Sequence, residues 1–183
     1  MRNILKRSLT LFMALVLVCT TSTVALAASK PKAQKKITTK QCVYYDYVKK
    51  HNIEGGDCYS IKINWSSVSK AAGYKVKLYW QSEETTGIQT INVTKKNGKY
   101  YYTVSKASSG MMYHCYKNTA ALVKGGMMVS DKKKITFSSS KLSFCAGGGS
   151  SERVYKIVVK SYKKVNGKKV YSKAKIKNLK QAW

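Results

Sequence analysis

From Cys42 onward, apolar and polar positions alternate along the chain with a period of two, and no stretch shows the spacing of an amphipathic helix. Ile61, Ile63 and Trp65 alternate with Lys62 and Asn64. Tyr74, Val76, Leu78 and Trp80 alternate with Lys75, Lys77 and Tyr79. Each run predicts a strand with its apolar side chains inward and its lysines outward. Ile91 and Val93 lead through Asn97-Gly98 to Tyr100, Tyr102 and Val104, which predicts a hairpin on a type I′ turn. Tyr155, Ile157 and Val159 alternate with Lys156, Val158 and Lys160, and a second Asn-Gly pair, Asn166-Gly167, joins this strand to Val170-Tyr171 and on to Ile176. Two further strands are expected at 135–137 and 142–144, a short hairpin at 120–129 and a loop at 147–151. The expected core includes Trp65, Tyr74, Val76, Leu78, Tyr155, Ile157 and Val159, and the expected fold class is all-β, a β-sandwich.

The first residues follow a different logic. Arg2, Lys6 and Arg7 precede an apolar run over 9–18, and Ala25-Leu26-Ala27 supplies the small residues of a cleavage site, so residues 1–27 are expected to be a signal peptide. The run is too short to cross a hydrocarbon core of about 30 Å. Cys19 raises lipid attachment as a rival, but Val18 stands where a small residue is needed, which favours release. No second apolar run of transmembrane length follows, and no hydrophobic tail precedes Trp183, so a secreted or non-covalently surface-held chain is expected. Residues 28–41, with Pro31 and a string of lysines, read as a flexible basic tail, and 42–183 as the domain.

Of the five cysteines, Cys42, Cys58, Cys115 and Cys145 remain after residue 27, an even number for an exported chain. Three pairings are open. Cys42–Cys58 with Cys115–Cys145 is favoured, because each bridge would close a local segment with weak core signals, contributing about 3 kcal/mol in the chain-entropy model. Zinc is disfavoured by the lack of a Cys-x-x-Cys spacing. The charge changes the picture most. The chain carries +28, and residues 1–27 hold three of the 35 cations and none of the acids, which leaves +25 in the remainder. Small soluble domains usually carry a magnitude of about 2–8. Such self-repulsion implies a counter-surface.

Two stretches resemble a fibronectin type III domain. Ser60 to Tyr79, SIKINWSSVSKAAGYKVKLY, is similar to its second and third strands, where one strand ends in tryptophan and the next opens with Gly-Tyr. Tyr155 to Lys177, YKIVVKSYKKVNGKKVYSKAKIK, is similar to its last two strands, in the lysine- and tyrosine-rich form found in secreted proteins of Gram-positive bacteria. The resemblance implies a fibronectin type III or immunoglobulin-like sandwich in which Trp65 is the core tryptophan and Tyr155 the corner tyrosine whose hydroxyl bonds back to the preceding loop. The middle, about 105–153, exceeds what such a domain needs and implies an insertion or rearrangement. The fold itself is a scaffold and implies no chemistry.

Catalysis needs a poised acid, base or nucleophile with partners. The acids are few: Asp46, Glu54, Asp57, Glu83, Glu84, Asp131 and Glu152, and the histidines are His51 and His114. No Gly-x-Ser-x-Gly, His-Glu-x-x-His or phosphate-cradling glycine loop occurs, so an enzyme, a cofactor, a metal or a small-molecule substrate is not expected. Lysines instead recur outward on the strands, at Lys75, Lys77, Lys156 and Lys160, and cluster in the hairpin at Lys163, Lys164, Lys168 and Lys169. Lysine is a hydrated point charge suited to diffuse attraction, and Arg153 is the one guanidinium after residue 27. These lysines are therefore the candidate polyanion-binding residues. The expected function is a secreted, non-catalytic binding or adhesion module of the cell surface, held on an anionic wall polymer or glycan. The alternative is an accessory structural domain that docks on a protein partner.

Overall fold

The computed structural model describes residues 30–43, 59–83, 85–105, 114–116, 134–147 and 153–180. Strands β1 (Ile37–Val43), β2 (Tyr59–Trp65), β3 (Gly73–Gln81), β4 (Thr86–Lys96) and β5 (Lys99–Ser105) are followed by β6 (His114–Tyr116), β7 (Lys134–Ser139) and β8 (Ser143–Gly147). β9 (Arg153–Val165), β10 (Lys168–Tyr171) and β11 (Lys175–Asn178) complete the order, and the described residues contain no helix. Two antiparallel sheets form, one in the order β1-β2-β8-β6 and one in the order β10-β9-β3-β4-β5-β7, with β11 also pairing with β9. The fold is an all-β sandwich.

Period-two alternation produces this arrangement directly. In β3, Tyr74, Val76, Leu78 and Trp80 are buried, while Lys75, Lys77 and Tyr79 between them are only half-buried. Ile61 and Ile63 of β2 and Phe144 and Ala146 of β8 share one core with Val76, Leu78, Ile91, Val93, Val104, Ile157 and Val159 of the larger sheet. Each such aliphatic side chain contributes about 1.5–3 kcal/mol by leaving water. Trp65 lies between the sheets, its ring edge-on to Tyr74 at 5.9 Å, Tyr102 at 6.3 Å and Phe144 at 5.9 Å. Both Asn-Gly pairs adopt positive φ at both residues, as type I′ hairpin turns require.

Two expectations need correcting. Of the tail expected at 28–41, residues 30–41 are described and are not free. Residues 37–43 form β1, and the residues before it are strapped to the sandwich. The Gln34 amide donates to the Val159 carbonyl at 3.1 Å and accepts from the Ser161 amide at 2.9 Å. The Ser161 hydroxyl donates to the Lys32 carbonyl at 2.8 Å, and the Lys35 and Lys36 amides donate to the Ser66 hydroxyl. Lysine-rich composition hid these backbone partners.

Tyr155 is not a core residue. The register pairs Trp80 with Val154 and Tyr79 with Lys156, so Tyr155 is the extra residue of a β-bulge. It stays half-buried, edge-on to Tyr79. Tyr102 instead makes the long-range hydroxyl tie, donating to the Lys141 carbonyl at 2.8 Å and accepting from the Ser143 amide at 3.1 Å.

Cys42 stands opposite Ser60, Cys115 opposite Ala146, and Tyr116 opposite Cys145, so Cys115 and Cys145 are one position out of register on neighbouring strands. Cys58 lies outside the described residues, as do Cys19, residues 1–27 and the hairpin expected at 120–129. The strand expected at 135–137 is β7, while that expected at 142–144 begins one residue later as β8.

The Tyr102 hydroxyl yields two expected outcomes. Tyr102→Phe leaves the Ser143 amide and the Lys141 carbonyl without this partner and should cost about 1–3 kcal/mol in denaturant unfolding. Burial holds the Tyr102 phenol well above its ordinary value, partly offset by the Ser143 amide. A raised folded-state value stabilises below the unfolded value of about 10, and that stabilisation is lost as pH climbs beyond it. The stability gap between the native chain and Tyr102→Phe should therefore narrow above about pH 10.

Candidate anion-binding face

The outward side of the larger sheet is assembled by the register of β3 and β9. Tyr79 stands opposite Lys156, Lys77 opposite Val158, Lys75 opposite Lys160, and Gly73 opposite Tyr162. β10 extends the same face with Tyr171 opposite Tyr162 and Lys169 opposite Lys164. Lys75, Lys77, Lys156, Lys160, Lys164 and Lys169 thus share one face. Lys163 and Lys168 do not, because they stand opposite Val170 and Val165, one position out of that alternation.

Lys75, Lys77, Tyr79, Val158, Lys160 and Tyr171 line a groove of about 240 Å³ in this face. Lys75 and Lys160 are directly opposed across neighbouring strands, a like-charge arrangement that destabilises a sheet unless a counter-charge meets it. Glu83, the one acid among the described residues, lies beyond the end of β3. The polar neighbours on β4 are neutral: Asn92 opposite Lys75 and Thr90 opposite Lys77.

Aromatic rings hold two lysines of this face. The Lys156 ammonium lies 4.0 Å from the centre of the Tyr79 ring and 5.9 Å from that of Tyr155. The Lys169 ammonium lies 4.9 Å from the centre of the Tyr162 ring. Each contact is worth about 0.5–1 kcal/mol at an exposed site and fixes a charge that would otherwise sample many rotamers.

Gly73 gives Tyr162 its place. The Tyr162 ring lies across the glycine, and its hydroxyl donates to the Val93 carbonyl at 3.4 Å. Tyr171 packs against it with ring centres 5.6 Å apart, which walls one end of the groove. The alternation marks these lysines, gives Gly73 and Val158 no role in a site, and favours Tyr79, Tyr162 and Tyr171 as strand-filling residues over rings that stack on a ligand. One signal was available, since a glycine opening a strand often marks close approach by another group.

The remaining candidates separate from this face. Trp65, Tyr74, Val76, Leu78, Ile157 and Val159 are buried in the core. Cys145 is buried in β8 of the other sheet. Among the described residues, no group of three or more His, Cys, Asp or Glu is placed to hold a metal ion, and no helix is long and apolar enough to cross a membrane.

A Cβ built on Gly73 would run into the Val93 carbonyl and the Tyr162 phenol. Gly73→Ala should therefore cost about 1–3 kcal/mol by thermal or denaturant unfolding and displace the Tyr162 ring, readable as altered tyrosine chemical shifts. Unchanged stability would refute the packing assigned to this glycine.

No protein-family model, curated protein or solved structure matches the chain.

Proposed function

We propose that this chain is a secreted, non-catalytic binding module retained at a cell surface by anionic polymers, and that the β3–β9–β10 face is its binding surface. The observation that carries this reading is the directly opposed pair Lys75–Lys160, flanked by Lys77 on a face where the described residues offer no acid. Among the described residues no acid stands against these lysines to relieve this repulsion, so an external anion stabilises the face and is bound by it. Lysine ammonium groups, strongly hydrated and without a fork geometry, suit a repeating polyanion more than a single bidentate acid. The order β1-β2-β8-β6 against β10-β9-β3-β4-β5-β7 supports the immunoglobulin-like form of the fibronectin type III resemblance.

The test is retention of the protein on Gram-positive cell walls, with and without their anionic polymers, across a salt series. Retention should fall steeply as salt rises and vanish when the polymers are removed. Replacing Lys75, Lys77 and Lys160 together by Gln should weaken binding about tenfold or more. Replacing the exposed Lys36, Lys62 and Lys141 by Gln removes the same charge elsewhere and should cost distinctly less. Retention indifferent to salt and to the choice of lysines would transfer the function to docking on a protein partner.

A further inference from the structure

The groove says more about the anion than net charge does. Lys75 and Lys160 belong to neighbouring strands, with Cα atoms about 5 Å apart, and Lys77 lies two residues along β3, about 7 Å away. Three separate point-charge donors therefore surround one space of about 240 Å³. A planar carboxylate presents two oxygens and is matched best by the fork of an arginine. A tetrahedral monoester presents three terminal oxygens, one for each ammonium. A phosphodiester within a polymer backbone has only two such oxygens, so a pendant ester group fits the donor set better.

The rest of the groove is not polar. Val158, Tyr79 and Tyr171 form its other walls, of which Val158 and Tyr171 offer apolar surface to the C–H face of a sugar ring. Nucleobases would need open aromatic faces for stacking. Here Lys156 lies over Tyr79, and Tyr162 is pressed between Gly73 and Lys169. Four residues further along β9, about 14 Å away, the opposed Lys164 and Lys169 form a second basic step beyond the Tyr162–Tyr171 pair.

We infer that the groove of Lys75, Lys77 and Lys160 is the subsite for a pendant tetrahedral monoester, sulfate or phosphate, on a sugar unit of a linear glycan, which runs along β9 and places a further ester group at Lys164 and Lys169. This rests on the reading of the face as polyanion-binding and adds the chemistry of the ligand.

The test uses the protein with five probes of equal length: a sulfated oligosaccharide, the same oligosaccharide bearing phosphate monoesters, the same oligosaccharide without esters, a polyol phosphodiester and a single-stranded DNA, with the four polyanions matched in charge. Titration calorimetry at fixed salt should show one of the two ester-bearing oligosaccharides, which identifies the ester, binding about tenfold more tightly than the phosphodiester and the DNA, and the ester-free one not binding. Lys75→Gln with Lys160→Gln should abolish that preference. Val158→Ser should weaken the preferred ester-bearing probe while leaving the salt slope unchanged, since it removes sugar contact and no charge. Equal affinity for the four polyanions, or tighter binding of the phosphodiester or the DNA, would overturn the ester subsite and leave polyanion binding standing. Binding of none of them would overturn both. The wild-type comparison among probes needs no variant to fold.

Discussion

The register of β3 against β9 is the constraint on which both the core and the basic face depend. It sets Val76 against Val159 and Leu78 against Ile157 on the inner side, and Lys75 against Lys160 on the outer side. A slip of one residue would carry every lysine of β3 into the sandwich and every aliphatic side chain out of it. Several contacts hold the register. The β-bulge at Tyr155 absorbs one residue near the open end of the pair, and at the other end Tyr162 lies across Gly73. The same few contacts that align the core therefore also align the ammonium groups of the groove.

Positive charge and aromatic content act together in this chain. An excess of +28 would extend and loosen a surface made of lysine alone. The rings of Tyr79 and Tyr162 counter this by binding Lys156 and Lys169 through their faces, while the opposed Lys75 and Lys160 line the groove. The many tyrosines are thus explained in part as supports for cations. Others serve the interior: Tyr74 accepts a hydrogen bond from the Val68 amide, and Tyr102 joins β5 to the turn that enters β8.

The strap before β1 gives the N-terminal lysines a structural context that their composition conceals. Gln34 and Ser161 bond where β9 passes from its pairing with β11 to its pairing with β10, and Ser172 caps the same gap through the Ser161 amide and carbonyl. An edge that two short strands cover incompletely is completed by the Gln34 side chain and the Lys32 carbonyl. This removes an unpaired stretch of edge that would otherwise invite association with another strand.

By itself the sequence determined what local chemistry can encode. Period-two alternation placed Ile61, Ile63, Val76 and Leu78 inside and Lys75 and Lys77 outside, and the two Asn-Gly pairs marked both type I′ hairpins. Only the tertiary structure decided which strands became neighbours, because alternation assigns a residue to a face and not to a partner. Pairing β3 with β9 brought Lys160 opposite Lys75, and pairing β10 with β9 divided Lys164 and Lys169 from Lys163 and Lys168. The bulge that turned Tyr155 out of the core depends on matching two strands of different residue count, which neither strand records alone. The strap was hidden for a related reason. Its partners on β9 are more than a hundred residues distant, and hydrogen bonds across such separations leave no periodic trace in a single chain.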